Sequence, residues 1–213
     1  MISKQYKFMF LAIPKCAGTS VRNVLVPYSE LSNFKTIYGE DYGKGIAARI
    51  WRKMFKPQKY FKTLVTEPET HLDLVKKLTQ PDYFLFTFVR NPYDRVVSLW
   101  KYLKPQLSFT EFIDWLEDDD SKKSFHDIAH IKSCSYYLEL YENTFSRECY
   151  IGRVENIDHD FRHVCKQIGL PFLEVPKIRQ TNHKKYQEYY DIASIEKVEK
   201  IYSQDFELFN YEF

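Results

Sequence analysis

Tyr6-Lys7-Phe8-Met9-Phe10-Leu11-Ala12-Ile13-Pro14-Lys15-Cys16-Ala17-Gly18-Thr19-Ser20 opens on aromatic and aliphatic residues and closes on small and hydroxyl-bearing ones. The apolar run predicts a mostly buried strand, stopped at Pro14, which has no amide to donate to a ladder. Gly18-Thr19-Ser20 then opens a helical pattern with Val21, Val24 and Leu25 on one side. A buried strand running straight into a helix is the building unit of α/β proteins with parallel sheets.

The same unit recurs downstream. Asp82 to Val89 predicts the clearest strand in the chain. After a single arginine, Arg90, Asn91 can cap a helix with Pro92 at its first position, Asp94 in its first turn, and Val96, Val97, Leu99, Trp100 and Leu103 on its apolar side. Leu64-Val65-Thr66 reads as another strand, followed by a helix over Glu69 to Leu78. Phe109 to Trp115 and Ser133 to Leu140 read as helices, and Cys149 to Val154 as a strand. Asp158 to Ile168 reads as a helix stopped by Gly169 and Pro171, and a last helix is predicted from Ile192 to Leu208. Strands alternating with helices predict a mainly parallel sheet with right-handed crossovers. The pattern shows no repeat and no internal boundary, so one domain over 1–213 is expected.

Composition narrows the function. With 31 basic and 29 acidic residues the net charge is only +2, which argues against a general nucleic-acid binder. Hydrophobic residues at 44% and charged residues at 28% are those of a folded globular chain rather than a disordered one. Apolar runs such as Phe8 to Ile13 fall far short of the roughly 20 residues of a membrane helix. The N-terminal residues lack the apolar core and cleavage pattern of a secretory leader, so a cytoplasmic location is expected. Cys16, Cys134, Cys149 and Cys165 are widely spaced, which fits free thiols in a reducing compartment. Aromatic content is high, with 17 Tyr, 17 Phe and 3 Trp. Most of these rings are expected in the core, with some available to stack on adenine or sugar rings.

The turn from Ala12 to Ser20 has the makings of an anion cradle or of an ordinary tight turn. Ala17 and Gly18 let backbone approach a ligand, helix-start amides point outward, and Thr19 and Ser20 add hydroxyls. Lysine precedes glycine here, and no Ser or Thr follows a lysine to hold magnesium, so the Walker pattern is absent. His126 and His130 are spaced to share one helix face but lack a third metal ligand at useful spacing. Glu117-Asp118-Asp119-Asp120 reads as a solvated helix end. Lys44 to Lys62 holds seven basic residues and no acidic one, interleaved with Ile46, Ile50, Trp51, Met54 and Phe55. That is the pattern of a basic amphipathic helix, suited to anionic lipid or an acidic glycan, or to a core helix with a lysine-rich outer face.

With Ile13-Pro14-Lys15-Cys16-Ala17-Gly18-Thr19-Ser20 and Val89-Arg90-Asn91-Pro92-Tyr93-Asp94-Arg95-Val96-Val97-Ser98 in this order, the chain resembles the sulfotransferases, particularly the carbohydrate branch. The likeness continues through Ile151-Gly152-Arg153-Val154-Glu155-Asn156 and the C-terminal residues. It implies a P-loop-like three-layer α/β sandwich, with a central mainly parallel sheet flanked by helices. It also implies transfer of a sulfuryl group from 3′-phosphoadenosine 5′-phosphosulfate (PAPS) to an acceptor hydroxyl, with 3′-phosphoadenosine 5′-phosphate (PAP) as product and no required metal. Carried over, Lys15 would meet the bridging oxygen between phosphate and sulfuryl group. Cys16, Ala17, Gly18, Thr19 and Ser20 would line the 5′-phosphate, and Arg90 and Ser98 the 3′-phosphate; the alternative for Arg90 is an ion pair with Asp94. Lys184, in Asn182-His183-Lys184-Lys185-Tyr186, would reach a phosphate from a covering loop. The acceptor would be a glycan or lipid-linked saccharide. His71 is the first candidate for the base, with Glu67 and His130 as alternatives; Arg95 is expected to pair structurally with an acidic neighbour. The competing functions are a P-loop phosphoryl-transfer enzyme and a non-catalytic nucleotide-binding adaptor.

Overall fold

A computed structural model of the chain describes residues 1–30, 81–146, 148–176 and 185–213. A four-stranded sheet runs in the order β1 (Ile2–Ser3), β2 (Phe8–Phe10), β3 (Phe84–Val89), β4 (Tyr150–Arg153). β2, β3 and β4 are parallel, with Phe10 opposite Phe86 and Phe88 opposite Gly152, while β1 adds antiparallel at the edge. α1 (Gly18–Leu25) follows β2, and α2 (Pro92–Leu103) follows β3. Then come α3 (Phe109–Glu117), α4 (Phe125–Ile131) and α5 (Cys134–Phe145). Beyond β4 lie α6 (Ile157–Gln167), α7 (Ile192–Ile201) and α8 (Ser203–Phe209). The mainly parallel α/β sheet expected from the sequence is present.

Strand alternation divides the core between the two sheet faces. Phe8, Phe10, Phe86 and Phe88 pack with Val21 and Leu25 of α1 and with Phe161 and Val164 of α6. Met9, Leu11, Leu85 and Val89 pack the opposite way, against Cys134, Tyr137, Leu138 and Tyr141 of α5. The result is three layers, helix on sheet on helix. Much of the aromatic excess lies in the first face, where Phe10 stacks on Phe86 at 5.1 Å and Phe86 meets Phe88 edge-on at 6.4 Å. Gly152 is required there, because a Cβ would lie 2.5 Å from Cε1 of Phe88. A third apolar cluster joins α2, α3 and α7 through Val96, Leu99, Phe112, Ile113 and Val198.

Two expectations are corrected. The last helix is two, α7 and α8, separated at Tyr202, whose ring is buried and whose hydroxyl donates to the Ile131 carbonyl at 2.9 Å. α4 went unanticipated; Ser124 caps it by accepting the Asp127 amide. The strand expected at Leu64 to Thr66 and the helix at Glu69 to Leu78 lie outside the described residues.

Candidate functional site

The two strand-to-helix junctions meet at the C-terminal ends of β2 and β3, the usual place for ligands in parallel sheets. Along the first, five consecutive carbonyls have donors from the protein. Leu11 accepts the Thr87 hydroxyl at 2.6 Å, Ala12 the Tyr141 hydroxyl at 3.3 Å and Ile13 the Cys16 amide at 3.3 Å. Pro14 accepts Arg95 Nε at 3.2 Å, and Lys15 accepts Arg90 Nη1 at 3.3 Å. With the carbonyls taken up inwardly, the amides opening α1 present the positive end of the helix, and no side chain among the described residues caps them. The conformational strain is borne by Lys15 (φ 66°) and Ala17 (φ 56°), both left-handed without being glycine. Such geometry costs about 1–3 kcal/mol per residue and persists only where the surroundings enforce it. Thr19 is exposed and Ser20 buried.

At the second junction Asn91 caps α2 as predicted, accepting the Tyr93 amide at 3.0 Å. Arg90 folds back over the first turn of α2, with Nε 2.8 Å from Asp94 Oδ2, while Nη1 reaches across to Lys15. One guanidinium thus joins both motifs. Ser98, partly buried, lies one turn beyond Asp94 on the same side of the helix. Arg95 is structural, but its partners differ from expectation: they are carbonyls rather than an acid. Its side chain is 1% exposed and donates to Pro14, to His130 at 3.0 Å and to Lys132 at 2.6 Å. It thereby pins the anion loop to the end of α4.

Sequence reasoning missed Tyr102. The Lys15 ammonium lies over its ring, 4.3 Å from the centroid. The signal was present, since Asn91, Arg95, Ser98 and Tyr102 recur at helical spacing along one stripe of α2. The Tyr102 hydroxyl lies 3.3 Å from His126 Nε2, and its ring is 5.0 Å from that of His130. His126 and His130 do share a face, with ring centroids 4.3 Å apart, turned toward Tyr102. His130 Nδ1 donates to the His126 carbonyl at 2.7 Å, and burial pulls its pKa down to about 4. Its neutral form therefore carries a lone pair on Nε2.

Lys15, Cys16, Ala17, Gly18, Thr19, Ser20, Arg90 and Ser98 are thus assembled at one end of the sheet. His71, Glu67, Lys184 and the basic stretch Lys44 to Lys62 lie outside the described residues. Among the described residues no three His, Cys, Asp or Glu side chains converge as a metal site, and no helix is long and apolar enough to cross a membrane.

An uncharacterized protein of Archaeoglobus fulgidus is 32% identical over 96 residues, covering 42% of this chain and 70% of its own length. No solved structure matches significantly. A model of the sulfotransferase family matches residues 1–212, nearly the full length and both junctions, and the chain belongs to that family.

Proposed function

We propose that the protein transfers the sulfuryl group of PAPS to a hydroxyl of a carbohydrate or lipid-linked saccharide. The observation that carries this reading is the Arg90 bridge. The guanidinium assigned to the 3′-phosphate also holds the carbonyl of Lys15, the residue assigned to the sulfuryl end, so both ends of one nucleotide are addressed by a connected unit. The donor set fits such a ligand: an ammonium, helix-start amides, three hydroxyls and a guanidinium, all able to donate to an anion.

In this reading the amides of Cys16 to Ser20, with the Thr19 and Ser20 hydroxyls, hold the 5′-phosphate. Arg90 and Ser98 hold the 3′-phosphate, with Lys184 as a further phosphate contact implied by the family likeness. Lys15 stabilises the charge that grows on the bridging oxygen as the sulfur–oxygen bond breaks, and the Tyr102 face steadies its ammonium. His130 is the base candidate supported by its surroundings. It is neutral, Nδ1 is engaged by the His126 carbonyl, and Tyr102 separates it from Lys15 by one ring, while its lowered pKa makes it a weaker proton acceptor than an ordinary imidazole. His71 and Glu67 remain the alternatives implied by the family likeness. The acid-free stretch Lys44 to Lys62 would attract an acidic glycan or an anionic membrane surface.

The test is incubation with sulfur-labelled PAPS and a panel of glycans, glycolipids and phenols. Native protein is expected to label a saccharide, and Lys15→Ala to lower the rate by about 10²–10³. Arg90→Ala is expected chiefly to weaken PAP binding. Transfer to no acceptor, with PAP still bound, would favour the adaptor. Reversing three charges in Lys44 to Lys62 should weaken the acceptor and leave PAP affinity alone.

A further inference from the structure

We propose that Cys16 and Cys134 are a peroxide-sensitive dithiol, whose oxidation to a disulfide ties the anion loop to α5 and weakens nucleotide binding. The coupling to nucleotide rests on the donor-site reading above; the disulfide itself does not.

The two cysteines are 118 residues apart, yet their sulfurs lie 3.7 Å from each other, and they are 1% and 0% exposed. Cys16 sits between the two left-handed residues Lys15 and Ala17. Cys134 opens α5, its amide held by Asp205 Oδ2 at 2.8 Å. Arg95 is beside them with an unbalanced charge. Its bonded acceptors are neutral carbonyls, and Nη1 is buried with no hydrogen-bond partner among the described residues. Asp205, the nearby carboxylate, bonds the amides of Cys134 and Ser135. A buried guanidinium in this position favours a nearby anion.

The thiol pair can supply it. Burial alone would raise the Cys16 pKa, but the hydrogen bond with Cys134 and the charges of Arg95 and Arg90 outweigh it and lower the value. The same hydrogen bond, with burial, raises Cys134. Cys149 and Cys165 have only the upward push of burial as their leading influence. Thiolate character and access together govern reactivity toward peroxide; all four cysteines are buried, so thiolate character is what distinguishes them.

The chemistry balances with one hydrogen peroxide. Cys16 releases its proton, and the thiolate attacks one peroxide oxygen; a sulfur–oxygen bond forms, the oxygen–oxygen bond breaks, and the departing hydroxide takes up that proton as water. The Cys134 sulfur then attacks the sulfenic sulfur, the sulfur–sulfur bond forms, and hydroxide departs with the Cys134 proton as water. Two thiols are oxidised by two electrons in total, and the peroxide becomes two waters. The sulfurs must close from 3.7 Å to about 2 Å, which displaces a loop whose amides and Lys15 need fixed positions.

The full-length protein is treated with hydrogen peroxide, digested without reduction and analysed by mass spectrometry, while PAP binding is followed by calorimetry. Expected are a Cys16–Cys134 linked peptide about 2 Da lighter than its two parts, with Cys149 and Cys165 still thiols, and a fall in PAP affinity of at least about tenfold. A thiol reductant reverses both. Cys134→Ser yields no linked peptide and instead adds oxygen at Cys16. Free Cys16, or overoxidised Cys16 without a link in the native protein, overturns the disulfide. A link that leaves PAP affinity unchanged overturns the coupling. Reduced protein that binds no PAP overturns the donor-site reading while leaving the mass result to decide the disulfide.

Discussion

His130 is neutral because of its surroundings, and this has consequences for both stability and rate. Burial is the main cause of its low pKa; the charges of His126, Lys15 and Arg95 add to it, and the bond to the His126 carbonyl opposes it. In the unfolded chain the ring titrates near 6.5 and in the folded one near 4. Between those values the unfolded state binds the extra proton, so this contribution is intact above pH 6.5 and stability is lost as pH falls toward 4. The urea midpoint of native protein should therefore fall relative to His130→Asn over that window; parallel curves would mean that the ring titrates alike in both states. As the base, His130 should lower kcat by about 10²–10⁴ when replaced by Asn, with PAP affinity kept. Unchanged turnover would pass the role to His71 or Glu67. Gly152→Ala addresses packing alone. The new Cβ meets Phe88, whose ring is confined by Phe86 at 6.4 Å and Phe161 at 6.4 Å. A loss of about 1–3 kcal/mol in urea unfolding is expected.

The start of α5 owes its position to another element. Ser133 accepts the Tyr136 amide at 3.0 Å, and Asp205 of α8 accepts the Cys134 and Ser135 amides at 2.8 and 2.7 Å. A buried carboxylate at a helix N-terminus meets the favourable end of the dipole. Asp205→Ala leaves two buried amides unpaired and should cost about 3 kcal/mol or more, with Asp205→Asn recovering part of it; equal melting temperatures would refute the cap. Elements of this kind mark the limit of sequence reading. The unit from Phe84 to Leu103 was legible because its signals are local: an apolar run, an Asn cap and Pro at the first turn. The break between α7 and α8 was not, since Tyr202 fits the helical period and the partner of its hydroxyl, Ile131, lies 71 residues away. In the site, small residues after a buried strand revealed Lys15 to Ser20. The carbonyl partners of Arg95 and the meeting of Cys16 with Cys134 depend on chain segments brought together by folding, and no local pattern announces them.

At the scale of the molecule, the C-terminal residues clasp the second junction. Glu155, just beyond β4, accepts the Asn91 amide at 2.6 Å and the Tyr211 hydroxyl at 3.1 Å. Asn91 Nδ2 donates to the Glu212 carbonyl at 3.0 Å, and Phe213 meets Tyr93 edge-on at 4.8 Å. Sheet, α2 and the last residues are thus joined at the residue adjacent to Arg90. Removing Tyr211 to Phe213 deletes, among the described residues, three hydrogen bonds, four aromatic contacts and the stacking of Arg153 on the Tyr211 ring, and exposes the Tyr93 ring. A stability loss of about 3 kcal/mol or more is expected, read by urea unfolding. Because Asn91 sets the start of α2, Arg90 loses a fixed base, and PAP affinity should fall several-fold. Turnover at saturating PAPS should change less than affinity, since Lys15 is held separately by Thr87, Tyr141 and Arg95 through its neighbouring carbonyls. If truncation lowers turnover as much as affinity, the two junctions act as one rigid unit and the Arg90 bridge to Lys15 transmits the damage. If neither changes, the clasp serves stability alone.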